Sequence, residues 1–86
     1  MKFQIIWSES AAKELKKLDR TVAKRIFKKV SQLGDDPYHF DVTKIVGDPY
    51  FRLRVGDYRV IFDIQDDTLR ILVLKVGHRK NVYKNN

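Results

Sequence analysis

The feature that most constrains this fold is a hydrophobic period of two residues that begins near Tyr50 and continues almost to the end of the chain. The segments YFRLRV and YRVIFDI alternate apolar with polar side chains, and LRILVLKV is apolar on both sides at its centre. The dipeptides between them, Gly56-Asp57 and Asp66-Asp67, fit two-residue hairpin turns. We therefore predict three consecutive antiparallel strands, the last of them either central in the sheet or covered by a partner.

The first half of the chain has helical periodicity after one opening strand. Lys2–Trp7 (KFQIIW) is predicted to form that strand, and Ser8 to cap the helix that follows. Asp19 or Thr21 is predicted to cap a second helix that ends near Gly34. The short connection between the helices favours an antiparallel hairpin. Apolar residues at helical spacing are Ala11, Leu15 and Leu18, then Val22, Ile26, Val30 and Leu33, with Ala23 and Phe27 widening the second stripe.

The predicted order is thus β-α-α-β-β-β, an α+β architecture with a helical hairpin packed on one face of a mainly antiparallel sheet. His39–Pro49 is interpreted as a loop that holds at most a short extended piece. We expect one domain over residues 1–86, because 43% apolar and 12% aromatic residues suffice for a single core. The chain has no cysteine, no signal-peptide pattern and no stretch approaching a membrane span, so we expect a cytoplasmic protein.

A formal net charge of +7, from 18 basic and 11 acidic residues, predicts attraction to polyanions. Many of the lysines are on the outer faces of the predicted helices, where we interpret them mainly as solvent-exposed residues. The position of the arginines therefore decides how much of this charge is functional. The helix lysines are Lys13, Lys16, Lys17, Lys24, Lys28 and Lys29.

The register of the first predicted hairpin points to a site. One face pairs only apolar residues and must pack on the helices. The opposite, open face places Arg54 opposite Arg59, and directly opposed like charges cost about 0.2–1 kcal/mol. A local rule broken in this way is typical of a functional site. The apolar pairs are Phe51–Phe62, Leu53–Val60 and Val55–Tyr58.

The second predicted turn places Asp63 opposite Arg70, a structural ion pair. By the same alternation, His78 is expected on the open face near Arg54 and Arg59. The chain can turn back across the sheet just after His78. The sequence therefore predicts that its C-terminal residues converge on the arginine pair.

Arg79 and Tyr83 follow directly, so guanidinium groups from Arg54, Arg59 and Arg79 would form a cradle for phosphate. Metal-free RNA cleavage suits such a cradle, because the RNA 2′-hydroxyl supplies the nucleophile. His78 and Tyr83 are the candidates for proton transfer. The structural alternatives are a surface histidine at the strand end and a tyrosine that anchors the C-terminus.

The carboxylates exclude other chemistry. Most of them fall at caps and turns or on the first helix, and no pair is positioned to hold the Mg²⁺ ions of metal-dependent phosphoryl transfer. No Walker or Rossmann glycine pattern occurs. We therefore predict neither a metal nor a cofactor.

The segments AAKELKKLD, KIVGDPYFRLRVGDYRVIFDI and VLKVGHRKNVYK, in this order, resemble the RelE/ParE superfamily of bacterial and archaeal toxins from toxin–antitoxin pairs. The resemblance covers almost the whole chain. On its RelE-like side it implies an mRNA interferase, a ribosome-dependent endoribonuclease that cleaves mRNA in the ribosomal A site. It also implies a RelB-like antitoxin that wraps the toxin.

The resemblance also implies roles for single residues. Arg54, Arg59 and Arg79 would bind the substrate phosphate and the transition state, and Tyr83 would orient or activate the 2′-hydroxyl. Arg52 and Arg54 stand where RelE-like members often carry lysine. A separate acid or base would therefore be needed, and His78 is the best available group. The Arg79–Tyr83 spacing is shorter than in the best-known RelE-type toxin. Residues assigned to RNA binding are Arg52, Lys44 and Lys80.

Two other functions stay open at this point. A ParE-like toxin would inhibit DNA gyrase by protein contact and cleave nothing, since a shared fold does not imply a shared function. A toxin-like relic or simple RNA-binding module would have no turnover. The arginine cluster with Tyr83 favours RNA cleavage over both.

Overall fold

The computed structural model describes residues 2–39 and 41–82, which form five strands and three helices. The predicted order β-α-α-β-β-β is confirmed, with a short strand added in the segment expected to be a loop and a short helix added after the last strand. The elements are β1 (Gln4–Trp7), α1 (Glu9–Lys16), α2 (Arg20–Gln32), β2 (Val42–Lys44), β3 (Phe51–Val55), β4 (Tyr58–Gln65), β5 (Arg70–His78) and α3 (Arg79–Val82).

The five strands form one sheet in the order β1-β5-β4-β3-β2, in which β1 runs parallel to β5 and the other neighbours are antiparallel. β5 is therefore an interior strand, the first of the two predicted alternatives. β1 pairs only with the first part of β5, Arg70 to Val73. Further along β5, the N–H of Val76 donates to Glu14 Oε1 of α1 at 2.8 Å. At this edge of β5, a helix side chain thus accepts a backbone hydrogen bond where no strand is paired.

The helix starts follow the predicted capping chemistry. Ser8 Oγ accepts a hydrogen bond from the N–H of Ala11 at 3.0 Å, and Asp19 Oδ2 accepts one from the N–H of Thr21 at 3.1 Å. Asp19, rather than Thr21, is thus the cap of α2. Each cap satisfies an N–H that has no partner inside its own helix.

The core lies between the helical hairpin and the sheet. Of the predicted second stripe, Phe27 is the exception, because 54% of its surface is exposed and its ring stacks on Trp7 with 6.0 Å between centroids. Within the described residues, no helix is long and apolar enough to cross a membrane. The buried core residues include Ala11, Ile26, Val30, Leu33, Leu53, Val55, Val60, Phe62, Ile71, Val73 and Val76.

The β3–β4 hairpin has the predicted register throughout, including Arg54 opposite Arg59. Gly56 has a φ of +58°, whereas Asp57 does not have a positive φ. Glycine at the first central position is the requirement of a type II′ turn, whose twist matches that of paired strands. This hairpin was predictable because its turn residues and its apolar alternation agree.

The β4–β5 hairpin differs from the prediction. Its turn has four residues, Asp66 to Leu69, so Gln65 pairs with Arg70 and Asp63 pairs with Leu72. The expected Asp63–Arg70 pair is therefore wrong. The physical reason is that Asp66-Asp67 lacks the glycine that a two-residue turn favours.

The predicted position of His78 is also wrong, because β5 contains a β-bulge. Val73 and Lys75 pair with consecutive residues of β4, which leaves Leu74 as the extra residue. Two more residues in the turn preserve the alternation of side chains, but one bulged residue reverses it. His78 therefore pairs with Tyr58 on the helix-facing side, away from the open face that carries Arg59.

Candidate functional site

The turn between β3 and β4 gathers several cationic side chains. Arg59 Nη1 donates hydrogen bonds to the carbonyl oxygens of Gly56 and Tyr58, both at 2.8 Å. Within residues 2–39 and 41–82, Arg59 forms no salt bridge. The turn therefore orients this guanidinium while leaving its charge without a carboxylate partner in that part of the chain.

Arg79 reaches the same turn from the start of α3. Its backbone N–H donates to the carbonyl oxygen of Asp57 at 2.8 Å, and its side-chain Nε lies 3.6 Å from Asp57 Oδ1. The two side chains are 52% and 73% exposed, so solvent screens this ion pair. We call Arg59, Arg79 and Arg25 of α2 the turn cluster, since Arg59 and Arg79 bond to turn residues and the Arg25 guanidinium lies against Gly56.

Arg25 was missed by the sequence analysis. A Cβ atom at Gly56 would lie 2.7 Å from Arg25 Nη2, so this guanidinium from α2 lies directly against the turn. A signal was available: Arg25, Lys28, Lys29 and Gln32 have helical spacing and form one polar stripe.

α3 is held close to the sheet by small-residue packing. Gly77 pairs with Arg59 on the open face, and a Cβ at Gly77 would lie 3.0 Å from Val82 Cγ2. Val82 is itself buried, with 7% of its surface exposed. The chain thus turns back across the open face after β5, as the sequence predicted, and this packing places Arg79 beside the turn.

Arg54 has a different environment at the outer edge of β3. Its Nη2 lies 2.9 Å from Asp41 Oδ1, and Lys29 Nζ of α2 lies 2.8 Å from Asp41 Oδ2. The side chain of Asp41 is only 9% exposed. The hydrogen bond from Lys29, followed by that from Arg54, lowers the pKa of Asp41 below its ordinary value.

The two opposed arginines are tolerated because their side chains extend in different directions. Arg54 extends to Asp41, whereas Arg59 folds over the turn carbonyls. Each guanidinium has its own acceptors, which reduces the repulsion expected across the hairpin. Only Arg59 keeps a position beside Arg79.

The residues assigned to RNA binding do not share one place. Arg52 lies on the open face between Thr43 and Ile61 and is half-buried. Lys44 pairs with Phe51, three residues before Arg54 on β3, and its Nζ donates to the carbonyl oxygen of Asp48. Its Nζ also lies 5.8 Å from the centre of the Phe51 ring. Lys80 is exposed on α3.

His78 has a structural role in the described residues. Its Nδ1 accepts a hydrogen bond from the N–H of Lys80 at 3.1 Å, which caps the first turn of α3. Its ring packs edge-on against Tyr58 with 5.5 Å between centroids. Tyr83, predicted to be catalytic, lies outside the described residues. No group of His, Asp or Glu side chains able to hold a metal occurs in the part of the chain that the structure describes.

The comparisons with known proteins agree with this architecture. Residues 5–83 match the family described as the ParE toxin of type II toxin–antitoxin system, parDE. A protein of Escherichia coli described as RelE-like toxin is 34% identical over 83 residues, covering 93% of this chain and 86% of the relative. The mRNA interferase toxin RelE of Escherichia coli K12 is 29% identical over the same coverage.

Solved structures give the same result. The RelE–RelB complex from Pyrococcus horikoshii OT3 matches with a TM-score of 0.80 and 27% identity, covering 95% of this chain and all of that one. The intact Escherichia coli RelBE complex matches with a TM-score of 0.76 and 28% identity, over 88% and 95% of the two chains. The chain is therefore a member of the RelE/ParE family of toxins from type II toxin–antitoxin systems.

Proposed function

We propose that this toxin is a ribosome-dependent, metal-independent endoribonuclease that cleaves mRNA in the cytoplasm. The observation that carries the proposal is the turn cluster, where Arg59 and Arg79 contact adjacent turn residues beside the open face of the sheet. Neither is neutralised by a buried carboxylate in the described residues. Cationic donors at such a position stabilise charge that develops on a phosphate during reaction.

The reaction needs no metal, because the substrate supplies the nucleophile. The 2′-oxygen bonds to phosphorus as the bond from phosphorus to the 5′-oxygen breaks. The 2′ proton leaves to a base and the departing 5′-oxygen takes up a proton, giving a 2′,3′-cyclic phosphate and a 5′-hydroxyl. Arg59 and Arg79 would stabilise the phosphorane-like transition state. Arginine exchanges no protons, so we assign orientation or activation of the 2′-hydroxyl to Tyr83.

The other predicted residues have supporting roles in this proposal. Arg54 would bind the RNA backbone from the edge of the hairpin, with Arg52, Lys44 and Lys80 as further contacts. His78 would act as a positioning residue that caps α3, because its Nδ1 already accepts a hydrogen bond from Lys80. Wild-type cleavage by a His78→Gln variant with an intact α3 would exclude proton transfer by this side chain.

The partners follow from the relatives. The archaeal and Escherichia coli structures named above are complexes of RelE with RelB. We infer that this toxin is neutralised by a RelB-like antitoxin, and that its substrate is mRNA in the A site of the ribosome. The relative named mRNA interferase toxin RelE supports this choice of substrate.

Primer extension on a reporter mRNA after brief induction in cells tests the proposal. We expect cuts at codon spacing, with 5′-hydroxyl ends that require phosphorylation before adapter ligation. The cleavage rate with purified toxin and ribosomes should not change as free Mg²⁺ is varied within the range that keeps ribosomes assembled. Intact mRNA during growth arrest would overturn the proposal.

A second function is supported by one observation, the match to a family described as ParE toxin. Under this alternative the chain inhibits DNA gyrase by protein contact, without cutting RNA. The same induced cells distinguish the two functions, because gyrase inhibition leaves mRNA intact and accumulates double-strand DNA breaks. Harmless expression would instead indicate a module without toxin activity.

A further inference from the structure

A groove of about 510 Å³ lies between α2 and the β3–β4 hairpin. It adjoins the turn cluster, because its lining includes Arg25 of that cluster and Gly56 of the turn itself. Its size is within the range of small-ligand sites in proteins. The lining residues are Arg25, Lys28, Lys29, Gln32, Asp41, Arg54, Val55 and Gly56.

The charge of this groove is strongly unbalanced. Four cationic side chains line it, against one carboxylate. That carboxylate, Asp41, is already bonded to Lys29 and Arg54. In the described part of the chain, Arg25 and Lys28 form no salt bridge. A concave site with excess charge of one sign focuses the electrostatic field and concentrates counter-ions.

The shape and lining favour a phosphate over an acidic peptide. Val55 is the single apolar residue among those that line the groove. Amphipathic peptide helices that dock in protein grooves use several apolar anchors, which this lining does not offer. Phosphate oxygens instead match the planar donors of Arg25, whose guanidinium lies beside Gly56 at the end of the groove.

We propose that this groove is an accessory phosphate subsite, in which Arg25 and Lys28 bind a backbone phosphate of the RNA strand whose scissile phosphate lies at the turn cluster. This inference rests on the proposed function for the identity of the RNA. Arg25 and Gly56 make the groove and the cluster continuous, so one strand can contact both.

Fluorescence anisotropy with a short single-stranded 2′-O-methyl RNA tests the subsite, using the full chain and a titration with KCl. This probe has no free 2′-hydroxyl and cannot be cleaved. We expect Arg25→Ala and Lys28→Ala each to weaken binding about tenfold at low salt. Loss of one single-strand phosphate contact should also reduce the log–log salt slope by about 0.7.

Lys24→Ala is the matched control, because Lys24 is exposed on the same helix and does not line the groove. It removes one positive charge, as the groove variants do, so it measures the effect of net charge alone. Arg25→Lys should restore part of the affinity and most of the salt slope. Thermal unfolding of every variant confirms that α2 is intact.

Equal anisotropy curves for the groove variants and Lys24→Ala would overturn the subsite. Unchanged RNA binding combined with weaker binding of a purified RelB-like antitoxin would also overturn it, and would assign the groove to the protein partner. Failure of the nuclease proposal is a separate result. In that case mRNA stays intact in cells although the wild-type chain still binds the probe.

Discussion

Arg54 and Arg59 face each other across one hairpin, yet their surroundings differ in kind. At the outer edge, Arg54 and Lys29 share the nearly buried carboxylate of Asp41. At the turn, Arg59 binds only backbone carbonyl oxygens among the described residues, and Arg79 contacts an exposed aspartate. The first region is an ion network around one nearly buried carboxylate, although the Arg54 side chain itself is 61% exposed. The second has no such carboxylate in the described residues, so its positive charge stays available to an incoming anion.

The difference shows that an arginine predicted from the sequence to bind phosphate need not have a free charge. Asp41 is thirteen positions from Arg54 in the sequence, and it meets that arginine only because β2 pairs with the first residues of β3. A predicted phosphate ligand can therefore have a structural partner as well. We expect the turn to dominate catalysis and the edge to dominate stability.

The largest expected effect separates the two arginines directly. Arg59→Ala should reduce ribosome-dependent cleavage about 10²–10³-fold, because it removes a preorganised donor to the transition state. Arg54→Ala should cost much less, since Asp41 already neutralises part of that charge. Cleavage rates of both variants, each checked for folding by thermal unfolding, measure the contrast. Equal losses would show that the edge and the turn act as one site.

A smaller effect is expected when the ion network at the edge is broken. Asp41→Asn leaves Lys29 and Arg54 without their carboxylate, so we expect a Tm lower by several degrees and tighter binding of single-stranded RNA. The control is Asp67→Asn, which removes the same charge from an exposed turn residue. If both variants have the same Tm, the network contributes nothing to stability.

The smallest expected effect is that the stability difference between the wild type and Asp41→Asn depends on pH. The folded-state pKa of Asp41 is lowered by Lys29 and Arg54, so its contribution to stability is complete above the ordinary value of 3.8. The contribution is lost as the pH falls through the lowered folded pKa. Urea unfolding of the wild type and Asp41→Asn should therefore differ at neutral pH and converge in acid. A constant difference at every pH would contradict this assignment.

Much of the fold was predictable from local signals. Ser8 and Asp19 cap their helices as expected, and the β3–β4 register follows from Gly56-Asp57 with its alternating flanks. The strand β2 was not clearly predicted, because a strand of three residues has little periodicity to recognise. The four-residue turn between β4 and β5 was not predicted, because Asp66-Asp67 has no glycine to indicate the turn type.

Less of the site was predictable. The opposition of Arg54 and Arg59 was correctly read from the hairpin, and it led to the turn where Arg79 also lies. The side on which His78 lies was missed, because a bulged residue leaves no local mark in an apolar strand. Arg25 was missed because the polar stripe of its own helix does not show which distant segment it contacts, here a turn thirty-one positions away.

The sequence by itself determined the layered α+β architecture, the capped helices and the placement of two arginines opposite each other, because these depend on neighbours within a few residues. Tertiary structure alone decided which of those arginines is neutralised and which side His78 occupies. It also brought Arg25 to the turn. These outcomes depend on contacts between distant segments and on the extra residue in β5, whose effects appear only when the sheet is assembled.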